Sequence, residues 1–215
     1  MKDTLHLVNI YTHVFFGSAA MLIGLWPMIT KKGQKTHRKT GKLYLLMVSG
    51  VLITAFLGAL FFDFRPFLFL LTILVFYTSF VSYRTLKLKD KRPGKFDILV
   101  NIIGASAVVF YLFFFDIEAA AMNRPVVYAT AGSLGFHVIY DFGKHFYSKN
   151  WLRNSWLNDH IFRVMSSYGG LICAFAGNVL DEAYQPWSQL LPSVITYTIM
   201  AYFMMKYRRF GVKVS

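Results

Sequence analysis

Charge is what this chain has least of. Only 15% of its 215 residues are Asp, Glu, Lys or Arg, against about 25% in a typical soluble domain. Just ten are acidic. There is one cysteine, Cys173, so an intramolecular disulfide framework is excluded. Six prolines and 15 glycines are too few for a collagen-like or low-complexity chain. What is present is apolar: 56% of residues are hydrophobic, with 22 Phe and 13 Tyr, gathered into long runs along the whole length. A chain this apolar is not disordered, and no polar tract leaves room for a separate soluble domain.

Seven runs approach the roughly 20 residues that cross a hydrocarbon core of about 30 Å. They lie at 5–29, 42–62, 66–86, 96–115, 125–143, 159–180 and 188–207. The pattern predicts an all-α polytopic membrane protein, a seven-transmembrane-helix bundle that forms one integral membrane domain over residues 1–215. The link 63–65 is so short that the second and third spans must form an antiparallel hairpin.

Charge orients the bundle. Segments 31–42, 84–95 and 144–163 and the tail after Met205 carry 20 of the 23 Lys and Arg, all on one side of a seven-span arrangement. The other side holds Lys2, Arg65 and Arg124 with six acids: Asp3, Asp63, Asp116, Glu118, Asp181 and Glu182. Short basic loops stay in the cytoplasm. The N-terminus is therefore expected outside and the C-terminus inside, in a cell inner membrane. The basic cluster follows the first apolar run instead of preceding it, which is the reverse of a cleavable signal. Expected partners are the lipid bilayer and, at the cytoplasmic loops, anionic headgroups; a protein partner is left open. Without a binding motif, the basic loops do not read as a nucleic-acid surface.

Local signals mark the ends. Pro66 and Pro125 open helices, where the missing N–H costs nothing. Asn158 or Asp159 is the expected cap of the sixth helix. The stretch 150–158, with Trp151 and Trp156, is expected along the cytoplasmic surface.

Ionisable groups inside spans are costly enough to be functional candidates by default. In the first span His6, Asn9 and His13 share one helical face, continued by Gly17, Ala20 and Gly24. One reading is a histidine hydrogen-bonded across helices with small residues for close packing. The sharper one is a haem ligand, with the glycines making room for the macrocycle. The sixth span repeats this face with His160, Arg163, Ser167, Gly170, Ala174 and Gly177; Arg163 would snorkel or pair with a buried anion. His13, His37, His160 and Arg163 are thus the candidate cofactor-binding residues. As an alternative, His137, Asp141 and His145 follow at spacings of four, placing three metal ligands on one face. Zinc there would activate water. No acidic residue lies deep in a predicted span, which argues against strong cation coupling.

Two segments resemble a family of bacterial multi-spanning membrane proteins known as a domain of unknown function. The first is His13-x-x-x-Gly17 with Ala20 and Gly24, then Lys32-Gly33, His37-Arg38 and Gly41-x-x-Tyr44. The second is His160-x-x-Arg163-x-Met165-x-Ser167-Tyr168; Val164 and Ser166 stand where that family's late motif has Trp and Arg. The resemblance covers about 60 residues and implies His13, His37 and His160 as the family's histidines. A looser likeness, to histidine-bearing membrane proteins that help assemble haem–copper oxidases, implies haem or metal binding in electron transfer or oxidase assembly. Seven spans with inward His and Asp also resemble ceramidase-like and progestin-receptor-like proteins, implying a zinc-dependent lipid hydrolase. The paired histidines that likeness needs in the last span are absent, and whether the chain is an enzyme is left open. A transporter or structural membrane protein, with histidines as proton relays, is the third expectation.

Overall fold

The computed structural model describes residues 2–89, 91–115 and 124–209, and among these it is helical throughout, without a strand. Asp116, Glu118 and the tail residue Lys213 lie outside the described residues. Seven α-helices follow one another: α1 (Lys2–Ile29), α2 (Lys35–Phe61), α3 (Pro66–Leu88), α4 (Lys95–Val109), α5 (Arg124–Gly143), α6 (Lys149–Val179) and α7 (Trp187–Arg209). A π-helical turn, Phe110–Phe114, continues α4, and a 3-10 turn, Glu182–Tyr184, precedes α7. Four segments are long and apolar enough to cross a membrane: Lys2–Ile29, Lys35–Phe61, Pro66–Leu88 and Lys95–Phe114. Such a chain is compatible with a membrane protein. Helices α5 and α7 begin within a residue of predicted spans and α6 begins ten residues before its own; their Ser, Thr, His, Asp and Arg content keeps them out of the apolar set.

The described residues divide into two compact units, 2–72 and 73–209. In the first, α1 and α2 run antiparallel in a register that can be followed residue by residue. His6 stacks on Phe62 at 4.9 Å. Asn9 donates to the Thr54 carbonyl at 3.1 Å, and His13 meets the Thr54 hydroxyl at 2.9 Å. At Gly50 a Cβ would stand 2.6 Å from the Phe16 ring, so only glycine lets the two helices approach there. At the far end Lys32 and His37 hydrogen-bond the Pro27 carbonyl, at 2.6 and 3.1 Å, satisfying the open end of α1. Phe56 of α2 meets Phe69 of α3 edge to face at 5.7 Å, as the short 63–65 link requires.

The second unit buries charged and polar side chains beside its apolar core and exposes large apolar ones. Arg163, His137, Ser82 and Ser167 are fully buried, while Phe113, Ile139, Phe146 and Val179 are exposed. Water favours the opposite arrangement; a hydrocarbon surround favours this one.

Two starts differ from the sequence reading: α2 begins at Lys35, seven residues before the expected span, and α6 differs more. Helix α6 starts at Lys149, ten residues before the expected span, and runs for 31 residues. Its cap is Ser148, whose Oγ accepts the Trp151 N–H at 3.2 Å, and not Asn158 or Asp159. The stretch 150–158 is therefore the first part of α6 and no separate surface helix. At 1.5 Å per residue the helix is about 46 Å long, longer than a hydrocarbon core of about 30 Å. Trp151 is held by packing on Tyr147 (4.2 Å) and Tyr140 (6.0 Å), which draws the early turns of α6 against the end of α5.

Candidate functional site

The site lies wholly in the second unit and is built around Arg163. Its side chain is 0% exposed, and each part of the guanidinium has a partner. Nε donates to Asp159 Oδ1 at 3.0 Å, one turn earlier on α6. Nη2 donates to Asp141 Oδ1 on α5 at 2.7 Å, and Nη1 donates to His137 Nδ1 at 3.0 Å. Burying an isolated ion costs several kcal/mol; here a planar fork meets two carboxylates and a ring nitrogen, so the charge is compensated in place.

A second cation closes the arrangement. Lys144, just past the end of α5, sets its ammonium 3.0 Å from Asp141 Oδ1 and bonds Asp159 Oδ2. Thr85 of α3 donates to the same Asp159 oxygen at 3.0 Å. The Tyr77 hydroxyl lies 2.6 Å from Asp141 Oδ2 and 2.7 Å from Asn101 Oδ1 of α4. Two carboxylates and two cations sum to zero, so the network holds formal charges without net charge. Four helices, α3 to α6, meet in it. A further rung joins α3 to α6, with Ser79 and Ser167 at 2.6 Å and Ser82 and His160 at 3.0 Å.

Histidine protonation follows from the partners. Arginine has donors only, so His137 Nδ1 must accept and its proton sits on Nε2. That Nε2–H is buried with no partner among the described residues, and its ring packs on Phe162 at 4.5 Å. In the first unit His13 Nδ1 meets the Thr54 hydroxyl, which also lies 2.8 and 2.9 Å from the Gly50 and Val51 carbonyls, and His37 Nδ1 donates to the Pro27 carbonyl.

These placements sort the expected site residues. Arg163 pairs with a buried anion, one of its two expected options. His137, Asp141 and His145 do not assemble a metal centre: α5 ends at Gly143, so His145 sits in a turn off the helical face. Asp141 and His137 are already engaged by Arg163. Among the described residues no group of three His, Cys, Asp or Glu could hold a metal ion. His13 and His37 face opposite ends of the α1–α2 hairpin; the 14 residues from His13 to Pro27 span about 21 Å of helix, so the two cannot clamp one iron. Asp159, Lys144, Tyr77, Asn101 and Thr85 were missed. Their signal was present as Asp141-x-x-Lys144 and Asp159-x-x-x-Arg163, spacings that pair charges within a helix.

A cleft of about 40 Å³ reaches the network. Lys89, Lys91 and Pro93 border it, and Thr85, Asp141, Lys144 and Asp159 form its polar wall. One water needs roughly 10–15 Å³ by this measure, so about three or four waters fit. Beside it Arg84 holds Asp97 through two bonds of 2.7 and 2.8 Å. Comparison of the chain with family models, with curated proteins and with solved structures finds no match.

Proposed function

We propose that this chain is a seven-span membrane protein, N-terminus outside and C-terminus in the cytoplasm, that carries a small cation, the proton foremost, through the buried network of its second unit. One observation carries the reading: two carboxylates, a neutral histidine and a tyrosine form one connected hydrogen-bonded network, and a water-sized cleft ends on it. Ionisable groups kept inside a membrane protein mark ion paths and proton relays. The distribution of Lys and Arg supports the orientation, since the cleft is bordered by the basic 84–95 loop, which stays in the cytoplasm. The sequence places no acid deep in a span, and Asp141 and Asp159 lie near predicted span ends; what supports the reading is that both are nonetheless buried in the protein.

The test is proton flux into proteoliposomes under a potassium diffusion potential, read with a trapped pH-sensitive dye. Wild-type protein is expected to acidify or alkalinise the lumen with the sign of the potential. Asp141→Asn and Asp159→Asn are expected to fall to the level of protein-free vesicles while remaining monodisperse. Wild-type flux no greater than that of empty vesicles sinks the proposal.

A second reading is motivated by His13 and His37, histidines half-buried in the α1–α2 hairpin. It is haem or metal binding in electron transfer, as the family resemblance and the looser likeness imply. Purified protein expressed with ample haem should then show a Soret band that shifts on dithionite reduction and is lost in His13→Ala. A flat visible spectrum removes this reading and leaves the first untouched.

A further inference from the structure

The two cations of the network are held very differently. Arg163 is sealed: fully buried, engaged by three polar partners, and with Tyr140 and Phe162 rings 5.4 and 6.0 Å away. Lys144 lies beyond the last residue of α5, on the cleft wall, with its side chain 10% exposed. Its ammonium touches the two carboxylates and faces the Tyr140 ring at 5.1 Å. The position it fills is bounded by oxygen: Asp141 Oδ1, Asp159 Oδ2, and the Thr85 hydroxyl bonded to that same atom. Oxygen donors of this kind suit hard cations, and the adjoining cleft has space for the waters that would complete a coordination shell.

Resting on the transport reading above, we propose that the Asp141–Asp159 carboxylate pair is an exchangeable site for a small monovalent cation, an alkali ion or a proton, and that Lys144 is the tethered cation which occupies it between turns. Charge sets the valence. With Arg163 fixed, replacing Lys144 by one monovalent ion keeps the buried network neutral; a divalent ion would leave it with an unpaired positive charge, which burial penalises. Every element around the site contributes a named group: Tyr77 and Thr85 from α3, Asn101 from α4, Tyr140 and Asp141 from α5, Asp159 and Arg163 from α6. The Arg84–Asp97 pair, also on the cleft, is internally neutralised. Lys144 sits in the turn that follows Gly143, its backbone tied to Tyr140 and Asp141, so exchange would need only its side chain to swing from the cleft wall.

The experiment compares detergent-purified wild type, Lys144→Met and Lys144→Arg by thermal unfolding. Sodium is exchanged for N-methylglucamine at constant ionic strength and fixed pH, and pH is then lowered in N-methylglucamine alone. Lys144→Met, left with an uncompensated carboxylate, is expected to gain several degrees saturably with sodium or with acid. Wild type and Lys144→Arg, which carry their own cation, are expected to stay flat. A response to sodium assigns the alkali ion and a response to acid alone assigns the proton. A folded Lys144→Met that is indifferent to both overturns the proposal, and if its wild-type parent still passes protons in vesicles the transport reading stands without this site. Cation-stabilised Lys144→Met with no wild-type flux is the converse: the site stands and transport falls. Should Lys144→Met not fold, reductive methylation of wild type decides. The labelling of Lys144 relative to Lys89, read by peptide mass spectrometry, is expected to rise with sodium or with acid; a ratio unmoved by both overturns the proposal.

Discussion

Arg163 and Asp141 are 22 residues apart on different helices, yet Nη2 and Oδ1 stand 2.7 Å apart with the arginine wholly buried. A contact of this kind ties α5 to α6 by charge where most helix pairs are tied by shape. Its loss is not a simple subtraction, because the partner left behind stays buried and ionised.

Replacing Arg163 with Ala should therefore cost about 3–5 kcal/mol, the range for orphaning one side of a buried ion pair. Arg163→Lys restores the charge but cannot reach three partners with one ammonium, and should fall between the two. Thermal or denaturant unfolding in detergent measures both. An Arg163→Ala protein as stable as wild type would remove the network from the account of stability.

Tyr77→Phe deletes one hydroxyl and leaves the ring in place. Asp141 Oδ2 then loses the donor 2.6 Å away, and Asn101 loses its partner as well. The expected loss is about 1–3 kcal/mol, the usual penalty for an unsatisfied buried polar group. A double-mutant cycle with Asn101→Leu should show coupling between the two sites; strictly additive losses would mean that they do not share the phenol.

Glycines in α2 give opposite expectations from identical chemistry. Gly50→Ala puts a Cβ 2.6 Å from the Phe16 ring and should destabilise by roughly 1–3 kcal/mol through overpacking. Gly41→Ala meets nothing within 4 Å and should gain up to about 1 kcal/mol from helix propensity. Melting temperatures of the two variants should move in opposite directions, and a shared direction contradicts the α1–α2 register.

Topology can be read from fusions at the C-terminus. The basic loops predict a fluorescent C-terminal fusion that glows in the cytoplasm. An active periplasmic phosphatase at that position would invert the orientation, and with it the side from which the cleft opens.

Much of the fold was legible in the sequence because lipid-facing helices write their length in apolar runs. Five of the seven helices begin within a few residues of the expected spans; α2 extends back into its basic loop and α6 starts ten residues early. The start of α6 was hidden because residues 149–158 are polar, and a polar helical turn carries no apolar signature. The polar stripe of α1 was correctly read as facing another helix. His13 finds Thr54, but that partner lies 41 positions away, a distance at which spacing is silent. The metal reading of α5 needed His145 to continue the helical face, and α5 ends at Gly143. Arg163 was legible as a buried cation in need of an anion. Which anion it takes is a matter of how α5 packs on α6, and no single helix records that.

The intrahelical pairs have a consequence for how such a protein is made. Asp141 with Lys144 at i,i+3 and Asp159 with Arg163 at i,i+4 are each neutral before any other helix arrives. On the seven-span reading proposed above, a nascent segment that brings its own counter-charge would enter lipid without exposing a bare ion. When the two helices then meet, Arg163 reaches across to Asp141 and Lys144 to Asp159, and the local couples become shared ones. Assembly on this route is an exchange of partners at constant neutrality.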